Sequence, residues 1–204
     1  MSEHDPRLER VQKIFVDANV LGSKTQYDWL FMLRLRLEMF TLWTSNDVLD
    51  EAHRVWRRRK PDLGGAMRAQ RDALFRRLFD DVSDAWNGGA SDTINDVHDV
   101  HVHNAARSLG ADILLTNNGK DFGDPNTLPY DIYSPDEFFV LVNANAPQAV
   151  RDVARDQALY WHRRSGDTKY SLAKALAEAG CPSFAREVER HLVVLSGSSA
   201  SLPL

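Results

Sequence analysis

At 204 residues, 43% hydrophobic and 26% charged, the chain is long enough for one ordinary domain with an appendage and too evenly mixed for a disordered or membrane-spanning protein. No stretch approaches the ~20 consecutive apolar residues that a bilayer crossing needs. The polar start MSEHDPRLERVQ lacks the apolar centre of a secretory signal, and the lone Cys181 can form no internal disulfide, so a reducing, cytoplasmic setting is expected. The net charge of −4 argues against a generic polyanion binder, yet residues 52–80 hold nine Arg or Lys against three Asp, so any nucleic-acid surface is expected there.

In chain order, residues 13–16 (KIFV) form a β-branched and aromatic run that ends at Asp17. A helical pattern follows over 26–38, then a weaker strand over 41–43 and helical patterns over 46–59, 63–79 and 99–109. Residues 113–116 (ILLT) make a second buried run, ending at Asn117 and Asn118, and 131–133 a weaker strand. The two strong runs are continuously apolar rather than alternating, as strands covered on both faces are, and their alternation with helices predicts an α/β fold with a mainly parallel central sheet. After Ser134 the pattern is helical throughout. Helices are predicted over 135–142, from Pro147 to about residue 163, over 172–179 and over 184–194, with Gly180 and Pro182 breaking the last two. Val150, Val153, Ala154 and Ala158 give the second of these an apolar face, for which an antitoxin-like partner, a second copy of the chain or the α/β core are the available covers. Cys181, next to Pro182 and without an activating base nearby in sequence, is expected to be a structural thiol.

The acids that could carry chemistry are legible from strand ends and helix faces. Open parallel sheets bind ligands at the carboxyl ends of their strands, where Asp17 and Asn118 fall, although a loop aspartate can also do no more than cap a turn. On the 46–59 helix, Thr44 with Asp47 resembles a capping box and Val48, Ala52, Val55 and Trp56 form the apolar stripe. Glu51 then lies at the stripe's edge, so its charge calls for a cation, either a metal ion or an Arg. In DVHDVHVHNAA, Val102, Ala105, Ala106 and Leu109 make the buried face, and Asp99 flanks it in the first turn, whereas Asp96 lies before the helix. Three acids from distant segments suit Mg²⁺ or Mn²⁺ through oxygen ligands, with a structural ion-pair network as the bland alternative. His98, His101 and His103 offer a rival zinc set that lacks a further donor nearby in sequence.

Taken in order, VDANVL at the first strand end, SNDVLDE on a helix, DVHDVHVHNAA opening a later helix and GADILLTNNGKDF around the last buried strand resemble the PIN-domain signature. The closest likeness is to VapC-type toxins with a D-x-H-V helix start and a T-x-N-x-x-D-F ending. The resemblance covers roughly residues 11–142 and implies a PIN-like nuclease domain over 11–145; the helical pattern beyond it reads as a C-terminal extension over 146–195, and the Ser- and Gly-rich end as a flexible tail over 196–204. The resemblance further implies that Asp17, Glu51 and Asp99 are metal ligands and that Asn118 takes the fourth place, where many relatives have Asp. By the same resemblance Asp121 would be an outer or second-metal ligand, and Asn19, Ser45 and Thr116 would hold the ligands in place. The activity implied is Mg²⁺- or Mn²⁺-dependent hydrolysis of RNA, leaving a 3′-hydroxyl and a 5′-phosphate, by the toxin of a toxin-antitoxin pair. The implied partners are RNA and a cognate antitoxin, with a homodimer also open and no membrane.

Arg54, Arg57, Arg58, Arg59 and Lys60, continued by Arg68, Arg71, Arg76 and Arg77, are the residues expected to meet RNA phosphates, the alternative being a solvated helix face. Two other classes of function stay open on the sequence. One is a catalytically degenerate PIN scaffold that acts through protein association, and the other a zinc hydrolase built on the histidines.

Overall fold

The computed structural model describes residues 11–59, 64–84, 94, 99–165 and 171–197. Five strands, β1 (Gln12–Val16), β2 (Phe40–Ser45), β3 (Asp81–Ser83), β4 (Ile113–Leu115) and β5 (Asp131–Tyr133), form one all-parallel sheet in the order β3-β2-β1-β4-β5. The α/β class with a parallel sheet is therefore as expected, and the arrangement is consistent with a PIN-like fold. Among the described residues no helix is long and apolar enough to cross a membrane.

β1 is central because it is apolar on both faces. Ile14, Phe15 and Val16 are wholly buried, with Phe15 in register between Trp43 of β2 and Leu114 of β4. From β1 the chain adds β2 and then β3 on one side, and afterwards returns to lay β4 and β5 on the other. The order thus reverses between β1 and β4. At such a switch point the loops leaving the two strands diverge and open a crevice at their carboxyl ends. Asp17 follows β1 and Thr116 follows β4 at this place.

β3 is a strand that the sequence pattern does not announce. It is three residues long and begins on an acid, so it has neither an apolar run nor alternation. Pairing with β2 makes it a strand, and Asp80 fixes the start: its Oδ2 accepts the Leu42 N–H at 2.8 Å while its own N–H donates to the Leu42 carbonyl at 2.9 Å.

By its internal contacts the chain divides into two units, one running through Gly22 and over Glu38–Ser134, the other over Ser23–Leu37 and from Pro135 onward. The first holds the sheet with α1 (Ala18–Leu21), α3 (Asn46–Arg59), α4 (Gly65–Leu78) and α5 (Val100–Ser108); the second holds α2 (Lys24–Arg34), α6 (Pro135–Asn145), α7 (Pro147–Ser165), α8 (Leu172–Glu178) and α9 (Pro182–Gly197). The boundary falls at Ser134 rather than at 145, and α2 belongs with the later helices although it precedes them by a hundred residues. Aromatic packing explains why: Trp29 of α2 meets Phe184 of α9 edge-on at 5.0 Å between centroids, and Phe184 meets Phe139 of α6 at the same distance. Of the expected tail, Ser196 and Gly197 end α9, and 198–204 lie outside the described residues.

The apolar face of α7 is covered by the chain itself. Val150, Val153 and Ala154 are wholly buried among neighbours that include α2, α6 and α9, and Ala158 is half-buried, so the chain itself covers most of this face. Two glycines close helices where a side chain would strain the backbone: Gly110 after α5 (φ 61°) and Gly180 after α8 (φ 84°). Cys181 is buried, and burial, with the charge of Asp136 beside it, pushes its thiol up to about 12 against a hydrogen bond from Gln26. That is a structural thiol, as expected.

Helix α9 takes its N-terminal cap from another helix. The Asp136 carboxylate accepts the N–H groups of Phe184 at 2.8 Å and Ser183 at 3.2 Å. Asp136→Ala leaves both donors without that partner and is expected to lower stability by about 1–2 kcal/mol, read as a shifted midpoint in urea unfolding. A change of only a few tenths would mean that water replaces the cap at no cost.

Candidate functional site

Asp17 is the buried centre of the crevice. It is 4% exposed, and its carboxylate is held on three sides. Oδ1 accepts the Ala18 N–H at 2.6 Å, while Oδ2 accepts the Thr116 hydroxyl at 2.7 Å and the Asn19 amide at 2.6 Å. The turn-capping role is therefore real, since Asp17 caps α1, but two further bonds reach across to the end of β4. Thr116 is itself saturated: its Oγ1 also accepts from Asn19 Nδ2 at 2.9 Å and from the Asn118 N–H at 3.1 Å. Asn19 completes the clamp by accepting the Asn117 N–H at 3.0 Å.

Burial pushes the Asp17 carboxyl up to about 6, with the charge of Glu51 adding to the rise and hydrogen bonds from Thr116 and Ala18 and the charge of His101 opposing it. Asp17 and Glu51 are thus within electrostatic reach of each other. Glu51 is half-buried on α3 and makes an ion pair with His101 Nε2 of α5 at 3.4 Å. His101 entered the sequence reading only as part of a zinc set; its place beside Glu51 depends on how α5 lies against α3.

Helix α3 is capped one residue later than the sequence suggests. Ser45 Oγ accepts the Val48 N–H at 3.3 Å, whereas Thr44 donates its hydroxyl to the Val16 carbonyl at 3.0 Å. The correction has a simple cause: Thr44 still belongs to β2 and is fully buried, so its hydroxyl must find a partner on the sheet. The stripe of α3 is rotated as well. Val48, Leu49, Ala52, His53 and Trp56 are buried, and Val55 is only half so.

The other expected residues are placed as follows. Asp99 is half-buried at the start of α5 and makes no side-chain cap bond there. Asn118 presents an exposed side chain, and Asp121 is half-buried in the short 3₁₀ turn Gly119–Phe122. Among the described residues no three His, Cys, Asp or Glu side chains gather closely enough to hold a metal ion, so the expected convergence of Asp99 on Asp17 and Glu51 is not present. Nor do His101 and His103 converge: His103 is buried, and its Nδ1 lies 2.7 Å from the Tyr130 hydroxyl. Burial, helped by the charge of Arg107, lowers the pKa of His103. Asp96, His98 and Lys60 lie outside the described residues.

What remains still fits a hard cation. An ionised carboxylate has about four lone-pair sites, and three of Asp17's are taken, so Oδ1 retains one. Mg²⁺ is commonly held by one or two carboxylates, with water and substrate phosphate completing its shell. Asp17 and Glu51 supply such a pair, and a cation between them would relieve their mutual repulsion.

On α3, Arg54, Arg57, Arg58 and Arg59 are exposed. Arg59 is partly engaged, donating from Nη1 to the Gly22 carbonyl at 3.0 Å. On α4, Arg76 is bonded to Asp72 at 2.9 Å and to Asn46 at 2.6 Å. No family model, curated protein or solved structure matches this chain.

Folding moves the Asp17 carboxyl from 3.8 to about 6, so between those values the folded protein keeps a proton that the unfolded chain has lost. The stability contributed by this group is full below about pH 4 and is lost as pH rises through about 6, a change on the order of 3 kcal/mol. Thermal unfolding in chelator is expected to show that decline in the parent and not in Asp17→Asn. Parallel profiles for the two proteins would mean that Asp17 does not cause it.

Proposed function

We propose that this chain is a metal-dependent endoribonuclease, with the carboxylates at the end of β1 and on α3 as its centre. The observation that carries the reading is the buried Asp17, fixed by Thr116 and Asn19 at the switch point of the sheet and facing the like charge of Glu51. A like charge beside the buried Asp17 disfavours the empty site, and a divalent cation offsets both that repulsion and the desolvation of Asp17. Asp17 and Glu51 would hold Mg²⁺ or Mn²⁺, which on binding lowers the pKa of water and neutralises charge on phosphoryl oxygens.

The chain's own residues do the positioning. Thr116 and Asn19 keep both Oδ2 lone pairs of Asp17 occupied, which leaves Oδ1 as the ligating oxygen. His101 steadies Glu51 through its ion pair. The exposed Arg54 and Arg58 lie on the same side of α3 as Glu51, where they can take the phosphates flanking the scissile bond. Attack of water on phosphorus breaks the bond to the 3′ oxygen; the hydroxyl stays on the 5′-phosphate and the proton leaves with the 3′-hydroxyl. No covalent enzyme intermediate is needed.

The toxin role draws its support from the motif resemblance. It predicts that expression arrests growth and that Asp17→Asn relieves the arrest. A protein-association role on a degenerate scaffold is the alternative that the sequence leaves open. Cleavage separates the two readings.

With Mg²⁺ or Mn²⁺ the chain is expected to cut single-stranded RNA. Asp17→Asn and Glu51→Gln are each expected to slow cleavage by roughly a hundredfold or more with the fold retained, as the loss of one electrostatic contact at the reaction centre commonly does. Wild-type rates in both variants would remove the metal-site assignment, and no cleavage by the parent under any divalent ion would favour the scaffold. Replacing Arg54 and Arg58 by Ala should leave cation binding intact, weaken RNA binding and reduce its salt dependence. An unchanged slope of affinity against salt would return both side chains to the solvent face.

A further inference from the structure

A pocket lies between α3 and α4, away from the carboxylate site. It is small, about 40 Å³, and is lined by His53, Trp56, Arg57, Met67, Arg68 and Arg71. His53 is 5% exposed, yet its Nδ1 is buried without a hydrogen-bond partner among the described residues. Buried polar atoms are rarely left so.

The chemistry of what would fill the pocket follows from its lining. Burial alone would raise Asp72, but hydrogen bonds from Arg76 and His53 and the charge of Arg76 outweigh it and keep its carboxyl below the ordinary value. Asp72 is therefore an acceptor, and His53 Nε2, 3.1 Å from its Oδ1, is the donor. In the neutral ring Nδ1 is then a bare lone pair, which calls for a ligand hydroxyl or amine. The lining of the pocket also includes three arginines, Arg57, Arg68 and Arg71, whose guanidinium groups call for an anion. Asp50 reaches Arg68 only at 3.7 Å. Arg71 covers the Trp56 ring at 4.0 Å, and Trp56 is itself 9% exposed, so no open aromatic face is offered to a base. Space on the scale of one or two waters admits a hydroxyl and phosphate oxygens but not a nucleobase.

A donor hydroxyl beside a phosphate is the signature of a ribonucleotide backbone. We infer that the pocket between α3 and α4 is a subsite for the RNA strand, in which His53 Nδ1 accepts a ribose 2′-hydroxyl and Arg57, Arg68 and Arg71 take the adjacent phosphate. The inference rests on the ribonuclease reading for its substrate and adds to it a means of telling RNA from DNA. Position supports it. At about 100° per residue, Glu51 and His53 lie on opposite flanks of α3, and Arg58, Arg54 and Arg57 follow one another across the solvent side between them. Asp47 and Asp50 share that side, so the arginines form a broken path rather than a uniform one. A strand leaving the carboxylates can cross α3 over these arginines and reach the pocket.

The test is binding of the full chain, in chelator so that nothing is cut, to one short single-stranded sequence made as RNA and as DNA. The parent is expected to prefer RNA by roughly fivefold, the size of one net hydrogen bond. His53→Gln keeps a donor near the Nε2 position for Asp72 but loses the Nδ1 acceptor, and should abolish the preference; His53→Asn, which keeps an acceptor near Nδ1, should retain it. Arg68→Ala should weaken RNA and DNA alike. Thermal unfolding checks that each variant is folded, and the Gln and Asn pair keeps the comparison valid if one is less stable. Equal binding of RNA and DNA by the parent, or a preference that survives in His53→Gln, overturns the inference. If Mg²⁺-dependent cleavage is nonetheless present and lost in Asp17→Asn, only the subsite has failed. A His53-dependent preference without any cleavage would uphold the subsite and remove the nuclease reading.

Discussion

The burial of one carboxylate sets the terms for the first unit of this protein. Asp17 follows a strand whose last three residues are wholly buried, and there desolvation disfavours its charge. The chain meets that cost with a hydroxyl from the end of β4, an amide two residues on and a backbone N–H. The first of these partners depends on the sheet order, whereas the other two are local. Only because β4 lies beside β1 does Thr116 reach Asp17, and only because the order reverses there is the crevice not filled by a crossing loop.

Helices α3 and α5 act on that centre indirectly. Ser45 and Thr44, adjacent residues, divide the work at the end of β2: one caps α3, the other ties β2 to the carbonyl that precedes Asp17. The start of α3 is thereby fixed relative to β1, and Glu51 comes with it. α5 contributes His101, whose ion pair restrains Glu51. The same helix turns His103 to the opposite side, against Tyr130. Two histidines two residues apart are about 200° apart around a helix, so one serves the site and the other the core.

The opposite flank of α3 has its own polar logic. His53 displaces Val55 from the buried stripe because Asp72 on α4 supplies a partner for one ring nitrogen. The other nitrogen has no hydrogen-bond partner among the described residues, and Arg71 of α4 stacks on Trp56. A helix of this kind presents acid on one edge, imidazole on the other and arginines between, which is why the basic excess of residues 52–80 is better understood by face than by sum.

Much of the frame was legible in the residues. Apolar runs ending at Asp17 and Asn117 identified the two central strands, periodicity located the helices, and the edge position of Glu51 followed from the stripe of α3. Local pattern determines these because a buried strand must be apolar and a helix must bury one face. What the sequence left undecided depended on partners distant along the chain. β3 is a strand only through β2; α2 joins the later helices only through Trp29 and Phe184; the Thr44 hydroxyl goes to Val16 instead of capping a helix. Asp99 was expected beside Asp17 and Glu51, and the approach of α5 does not gather the three. His53 was unremarkable until α4 set Asp72 against it. The sequence by itself determined the two central strands, most of the helices and which acids lie at their ends, because those are short-range consequences of hydrophobic burial. Tertiary structure alone decided which polar groups meet, because a hydrogen bond needs its partners within about 3 Å, and no spacing along a chain implies that.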